Sequence, residues 1–173
     1  VGTSGHTIRD LKARWQTDVF DLKPDWGICS GLFLRSTDRG QCLQMMVDYH
    51  DNGNVGQVYG EGVGAFNTRT FDINGKLDDR QKLVGFTTAK ERTAAEAGLV
   101  SSCTPAEWVA AWKINDWNTA RVVCTGKYAH LSTWLNGVKI CEFNGETSTA
   151  DKYNKEKVSE QLGVEGSIAV QVH

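Results

Sequence analysis

Along most of this chain apolar and polar side chains alternate with the two-residue period of a β-strand. Residues 11–21 carry Leu11, Ala13, Trp15 and Val19 against Lys12, Arg14, Gln16 and Asp18, the pattern of a half-buried strand. Pro24-Asp25-Trp26-Gly27 then turns the chain into a second strand over 28–36. The four-residue turn Thr37-Asp38-Arg39-Gly40 joins it to a third over 41–48, which predicts an antiparallel pair. Residues 51–64 are rich in Gly and Asn and read as a loop holding a short strand at Val55–Tyr59; residues 66–76 carry no clear period. Helix formers take over at 88–98, ending at Gly98. A second short helix is predicted from Thr104, with Pro105 at its first position and Glu107 completing a capping box. Strand patterns return from 117. Asn136-Gly137 is a type I′ hairpin signal that sets Leu135 opposite Val138, Trp134 opposite Lys139 and Thr133 opposite Ile140. A polar connection at 145–163, with a helix at 153–161, leads to a strand at Ser167–His173.

This order of hairpins with local helices predicts an all-β fold, an antiparallel β-sandwich of jelly-roll type with a helical insertion around 88–112 at one rim. The 173 residues suit one domain, 1–173, with a sizeable core. The chain starts without Met, and a longer reading frame is expected to supply flanking strands at both ends.

Polar groups recur inside these strands. In GLFLRS, Phe33 and Arg35 share a face; in QCLQMMVD, Cys42, Gln44, Met46 and Asp48 do. A guanidinium, an amide and a carboxylate cannot sit in an apolar core unpartnered, so they either pair with one another or line a wet groove. The net charge of −2, with Lys and Arg dispersed, argues against a nucleic-acid partner. No apolar run reaches the roughly 18–20 residues of a membrane span. Cys29, Cys42, Cys103, Cys124 and Cys141 show no metal-type spacing, and most fall in strand patterns as small buried hydrophobes. A bridge between two of them stays open.

Several of these segments resemble one family. GLFLRS is similar to the "NSGIFLR" strand of the DUF1080 or 3-keto-disaccharide hydrolase family, with Cys29 at the family's Asn. GQCLQMMVD resembles its "GYEVQILD" strand, with Gln41 for Tyr and Cys42 for Glu, and WNTARVVCTG with TWLNGVKICEF looks like its "WN…R…G…WLNG" hairpin. GSIAVQVH resembles its closing "GxIxLQxHG" segment. The resemblance implies a concanavalin A-like sandwich, cleavage of sugars oxidised at C3, a carbohydrate substrate and a periplasmic or secreted location.

On that basis the candidate catalytic residues are His173, Arg35 and Asp48, and the candidate substrate-binding residues are Gln44, Gln171, Trp134, Tyr59 and Glu61. His173 falls on the family's "LQxH" position and serves as base; a terminal surface His is the plainer alternative. Arg35 offers paired donors to a carbonyl, or forms a structural ion pair with Asp48. A divalent metal held by Asp48 and His173 is an alternative electrophile. The residues of 41–48 lack the alternating acids of sandwich glucanases, which disfavours a two-carboxylate glycosidase mechanism. A 3-keto group needs less: it acidifies the C2 hydrogen, one base removes it, and the C1 substituent leaves. The competing class is a non-catalytic, lectin-like carbohydrate-binding module, which suits the same fold.

Overall fold

The computed structural model describes the backbone of residues 2–3, 19–22 and 26–171 and the side chains of residues 26–171. The strand expected at 11–21 falls mostly outside the described residues, as does His173. In chain order the strands are β1 (Gly2–Thr3), β2 (Val19–Leu22), β3 (Gly31–Ser36), β4 (Cys42–Asp48), β5 (Asn54–Glu61), β6 (Asp72–Leu77) and β7 (Leu83–Ala89). There follow β8 (Ser101–Ser102), helix α1 (Pro105–Ala111), β9 (Asn118–Thr125), β10 (His130–Leu135), β11 (Val138–Asn144), helix α2 (Lys155–Leu162) and β12 (Ser167–Val170). Among the described residues they build two five-stranded sheets, ordered β1-β12-β3-β4-β5 and β2-β9-β10-β11-β8, beside a β6-β7 hairpin. Every pairing is antiparallel, as the sandwich reading expected.

The Thr37–Gly40 turn closes with Gly40 N–H donating to Thr37 O at 2.9 Å, and Gly40 takes a φ of 77° that a side chain would resist. It fixes the pairing Leu34↔Leu43, Phe33↔Gln44, Leu32↔Met45 and Gly31↔Met46. Leu32, Leu34, Leu43 and Met45 thereby join Val122, Leu131, Leu135 and Phe143 of the second sheet in one buried core. Each such side chain contributes about 1.5–3 kcal/mol by leaving water. The sheets approach most closely where β5 crosses β10 and β11. Thr133 Oγ1 donates to Gly56 O at 2.5 Å, and a Cβ on Gly56 would stand 2.8 Å from Ile140.

The β10–β11 turn is the expected I′ type, with φ of 49° at Asn136 and 85° at Gly137. Leu135↔Val138 and Trp134↔Lys139 pair as predicted, but Thr133 faces Cys141 rather than Ile140. A bulge absorbs one residue there. It turns both Ile140 and Cys141 into the core.

Helix α1 carries the predicted capping box, Thr104 with Glu107, and buries Trp108. The Trp108 indole donates to Val55 O at 2.9 Å, and that of Trp112 to the Tyr49 hydroxyl at 3.0 Å. With Trp26 and Phe86 these rings form an edge-packed aromatic cluster beside the sandwich.

Residues 88–98 are not a helix. Thr88 and Ala89 pair with Ile73 and Asp72 as the end of β7. Beyond them the chain makes one capped turn, in which Thr93 and Glu96 exchange hydrogen bonds and Gly98 ends it at a φ of 73°. Strand pairing claims the first residues, and the remainder is too short to offset the cost of helix nucleation. β5 is also longer than the strand expected at Val55–Tyr59. All five cysteines are free thiols.

Candidate functional site

β3 and β4 turn one face to the core and the other away from the second sheet. On that outer face the register lines up Ala169, Phe33, Gln44 and Tyr59 across four strands, with Cys42 beside Glu61. Phe33, Cys42 and Ala169 make a small buried apolar cluster of their own. Gln44 lies over Gly31 so closely that a Cβ there would fall 1.7 Å from its Nε2, which is why this position needs a glycine. Gln44 Nε2 donates to Gln171 Oε1 at 2.9 Å and to Ser30 O at 3.1 Å. Gln171 is held in turn by its own N–H to Gly31 O and by Ser30 Oγ to its carbonyl, at 2.9 and 2.7 Å. The two expected glutamines therefore form one amide pair.

Tyr59 stands at the edge of this row. Burial, reinforced by the Glu61 and Asp48 charges, raises its phenol above the ordinary value, so it stays a neutral hydrogen-bond donor at neutral pH. Burial and Glu61 likewise push the Cys42 thiol up, so it is no nucleophile.

At the far end of the same face the pairing Ile28↔Tyr49 sets Cys29 opposite Asp48. The Cys29 thiol donates to Asp48 Oδ1 at 3.1 Å. Burial, then that hydrogen bond and the carboxylate charge, push Cys29 up to about 11 against partial relief from Arg69. Arg69 Nη2 lies 3.9 Å from Asp48 Oδ2, while its Nη1 holds Asp72 Oδ1 at 2.9 Å and Asn52 O at 2.7 Å. Lys90 Nζ reaches the other Asp72 oxygen at 2.8 Å. Burial alone would raise the Asp72 pKa, but Lys90 and Arg69 outweigh it and hold the carboxyl below its ordinary value. Beside this network opens a surface pocket of ≈ 610 Å³ lined by Asn67, Arg69, Asp72, Lys90 and Arg92 among others. His50, two residues past Asp48, completes a group whose donor atoms all lie within 4.8 Å of one another: Cys29, Asp48 and His50.

Arg35 does not join Asp48. In an antiparallel hairpin closed at 37–40, position 35 falls beside 42 and position 48 beside 29, so the two side chains start roughly 20 Å apart at about 3.3 Å per residue. Arg35 also leaves the outer face: its φ is 52°, and its guanidinium donates to Gly126 O, Gly163 O and Lys127 O at 2.6, 2.9 and 3.3 Å. It is buried there, tying the β9–β10 turn to the end of α2. Trp134 lies elsewhere too. It sits on the outer face of the second sheet, flanked by Arg121 at 4.4 Å and Lys139 at 6.0 Å from its ring centre. Gln44, Gln171, Tyr59, Glu61 and Asp48 do share one face. His173 lies outside the described residues, and with it the expected Asp48–His173 metal pair.

Sequence reasoning missed Cys29, His50 and Arg69. The first two were within reach: the 37–40 turn dictates that Cys29 opposes Asp48, and His50 follows Asp48 by two positions. Arg69 was not: it arrives from 66–76, where no period marked a structure.

The architecture is thus that of an all-β sandwich in which the outer face of one sheet has a buried centre, around Phe33, Cys42 and Gln44, and part-exposed polar residues around it. The chain belongs to the 3-keto-alpha-glucoside-1,2-lyase-like domain family, whose model matches residues 4–173. A stretch of 25 residues is also 68% identical to an acetylxylan esterase of Geobacillus stearothermophilus, covering 14% of this chain and 11% of that protein. Among the described residues no helix is long and apolar enough to cross a membrane.

Proposed function

We propose that this protein cleaves the glycosidic bond of 3-keto-glycosides or 3-keto-disaccharides by removing the C2 proton and eliminating the C1 substituent; later addition of water gives net hydrolysis. The observation that carries this reading is the family match over residues 4–173, a family described by action on a 3-keto-glucoside. The face of the first sheet agrees with it chemically. Gln171, Tyr59 and Glu61, each part-exposed, supply the amide, phenol and carboxylate groups that read sugar hydroxyls, while buried Gln44 gives its amide to Gln171 and Ser30 and so positions Gln171.

The carboxylates favour elimination over a two-acid mechanism. Glu61 pairs with Cys42, six residues along β4 from Asp48. That is roughly 20 Å, whereas glycosidase acid pairs stand about 5–10 Å apart. A keto group at C3 removes the need for the second acid: one base takes the C2 proton, and a cation stabilises the enolate oxygen as it forms. His173, two residues beyond Gln171 in the chain, is the proposed base. Arg69 replaces Arg35 as the proposed cation, because its Nη2 stands beside Asp48 at ion-pair distance.

Incubating the protein with a 3-keto-glucoside in deuterated water tests this. Release of the aglycone with loss of the C2 hydrogen is expected, with deuterium at C2 of the sugar once water has added, and His173→Ala abolishes it. Aglycone release with the original C2 hydrogen retained refutes the elimination; binding without turnover leaves a lectin-like module.

A further inference from the structure

We propose that Cys29, Asp48 and His50 form a binding site for a thiophilic divalent cation of the zinc or cobalt class. The backbone builds the site before any ligand arrives. Tyr49 N–H donates to Ile28 O at 2.7 Å and Val47 N–H to Ser30 O at 3.0 Å, which fixes Cys29 directly across from Asp48. His50 follows Asp48 by two positions, in the bend just past the Ile28↔Tyr49 bridge. One sulfur, one carboxylate oxygen and one imidazole nitrogen are therefore presented together, all within 4.8 Å. Cys29 Sγ and Asp48 Oδ1 already stand 3.1 Å apart. Bonds of about 2.0–2.3 Å in a tetrahedral site ask for donor separations of about 3.3–3.8 Å, so closure needs side-chain rotation and no backbone movement.

The histidine ring has a backbone partner of its own. Its Nδ1 is 2.8 Å from the carbonyl of Asp51. An Nδ1–H spent on a backbone carbonyl leaves the Nε2 lone pair as the donor, the arrangement that metal-binding histidines adopt. Charge balances as well. Thiolate, carboxylate and neutral imidazole cancel a divalent cation, so Arg69 beside Asp48 meets a neutral centre and keeps its ion pair with Asp72. When the metal–sulfur bond forms, the thiol proton leaves to solvent. Cys29 and His50 are both half-buried and the Asp48 side chain is 16% exposed, so an ion has access and a fourth position stays open to water or a ligand. Sulfur and imidazole select against magnesium and calcium, which take oxygen donors.

The test uses cobalt(II) alone with the whole chain and reads absorbance, so it does not depend on any activity towards sugars. One equivalent is expected to produce a thiolate-to-cobalt charge-transfer band that zinc displaces and an equal concentration of magnesium does not. Cys29→Ser abolishes the band, and His50→Ala weakens cobalt binding at least ~10-fold while retaining it. Absence of the band in the unaltered protein overturns the proposal. So does its survival in Cys29→Ser, displacement by magnesium, or undiminished affinity in His50→Ala, which also covers the case of a Cys29 variant that fails to fold.

Discussion

The two ends of the β3–β4 hairpin place charged side chains on adjacent strands and use them in opposite ways. At the turn end, Arg35 is 6% exposed and gives its guanidinium to three backbone carbonyls from two separate connections. At the open end, Asp48 is half-buried, takes a hydrogen bond from a thiol, and holds Arg69 only at 3.9 Å. A buried guanidinium saturated by carbonyls from two separate connections is a structural tie, with no donor left for a ligand. A carboxylate within reach of sulfur, imidazole and guanidinium, with solvent access, keeps capacity for a ligand. Burial and saturation, more than residue type, separate scaffold from site.

Replacing the charged residue at each end sharpens this contrast most. Arg35→Ala removes three guanidinium–carbonyl hydrogen bonds and opens a void between the β9–β10 turn and α2. A loss of about 3–5 kcal/mol is expected, read as a lower urea midpoint at unchanged slope. Asp48→Asn should change stability by no more than about 1 kcal/mol, since it removes a long ion pair while its Oδ1 can still accept from the Cys29 thiol. It should, however, remove turnover of a 3-keto-glucoside. A stable Arg35→Ala would erase the distinction.

The middle of the hairpin is tested by Gly31→Ala. The new methyl would occupy the place of the Gln44 amide, breaking its bonds to Gln171 and Ser30. About 2 kcal/mol of destabilisation is expected. The same change should raise KM for the sugar substrate while leaving cobalt binding at the open end intact.

The features legible in the sequence are those whose causes lie close together in the chain. The antiparallel sandwich, the turn at 37–40, the Thr104–Glu107 box and the Asn136-Gly137 turn are local chemistry, and each forms where the pattern puts it. The shared face of Gln44 and Asp48 follows from period two. Grouping Arg35 with Asp48 fails on register: the 37–40 turn itself sends those two residues to opposite ends of the hairpin. The β6–β7 hairpin is hidden because Gly75 and Gly85 interrupt both strands and neither alternates cleanly. The bulge at Thr133 and the arrival of Arg69 beside Asp48 depend on packing between distant segments, which no local pattern encodes.

The network behind Asp48 makes the open end sensitive to acid. Asp72 is buried between Arg69 and Lys90, and its folded pKa lies below the ordinary 3.8. The folded state thus binds this proton less readily than the unfolded chain does. Its stabilisation is fully present above the unfolded value and is lost as pH falls through the folded one. Asp72→Asn should therefore cost about 1–2 kcal/mol at neutral pH, and the gap to the unaltered protein should narrow below about pH 4. A gap that is constant with pH would mean that packing, not charge, makes the difference.

The smallest effect is expected on the other sheet. Trp134 lies between Arg121 and Lys139 on the outer face, and exposed cation–π contacts contribute about 0.5–1 kcal/mol. Trp134→Ala should lower stability by no more than that. Because this ring sits on the second sheet while Gln44, Tyr59 and Asp48 sit on the first, KM and kcat for a 3-keto-glucoside should stay unchanged. A Trp134→Ala variant that loses affinity for the sugar would move substrate recognition to the second sheet, and with it the functional half of the contrast drawn along β3 and β4.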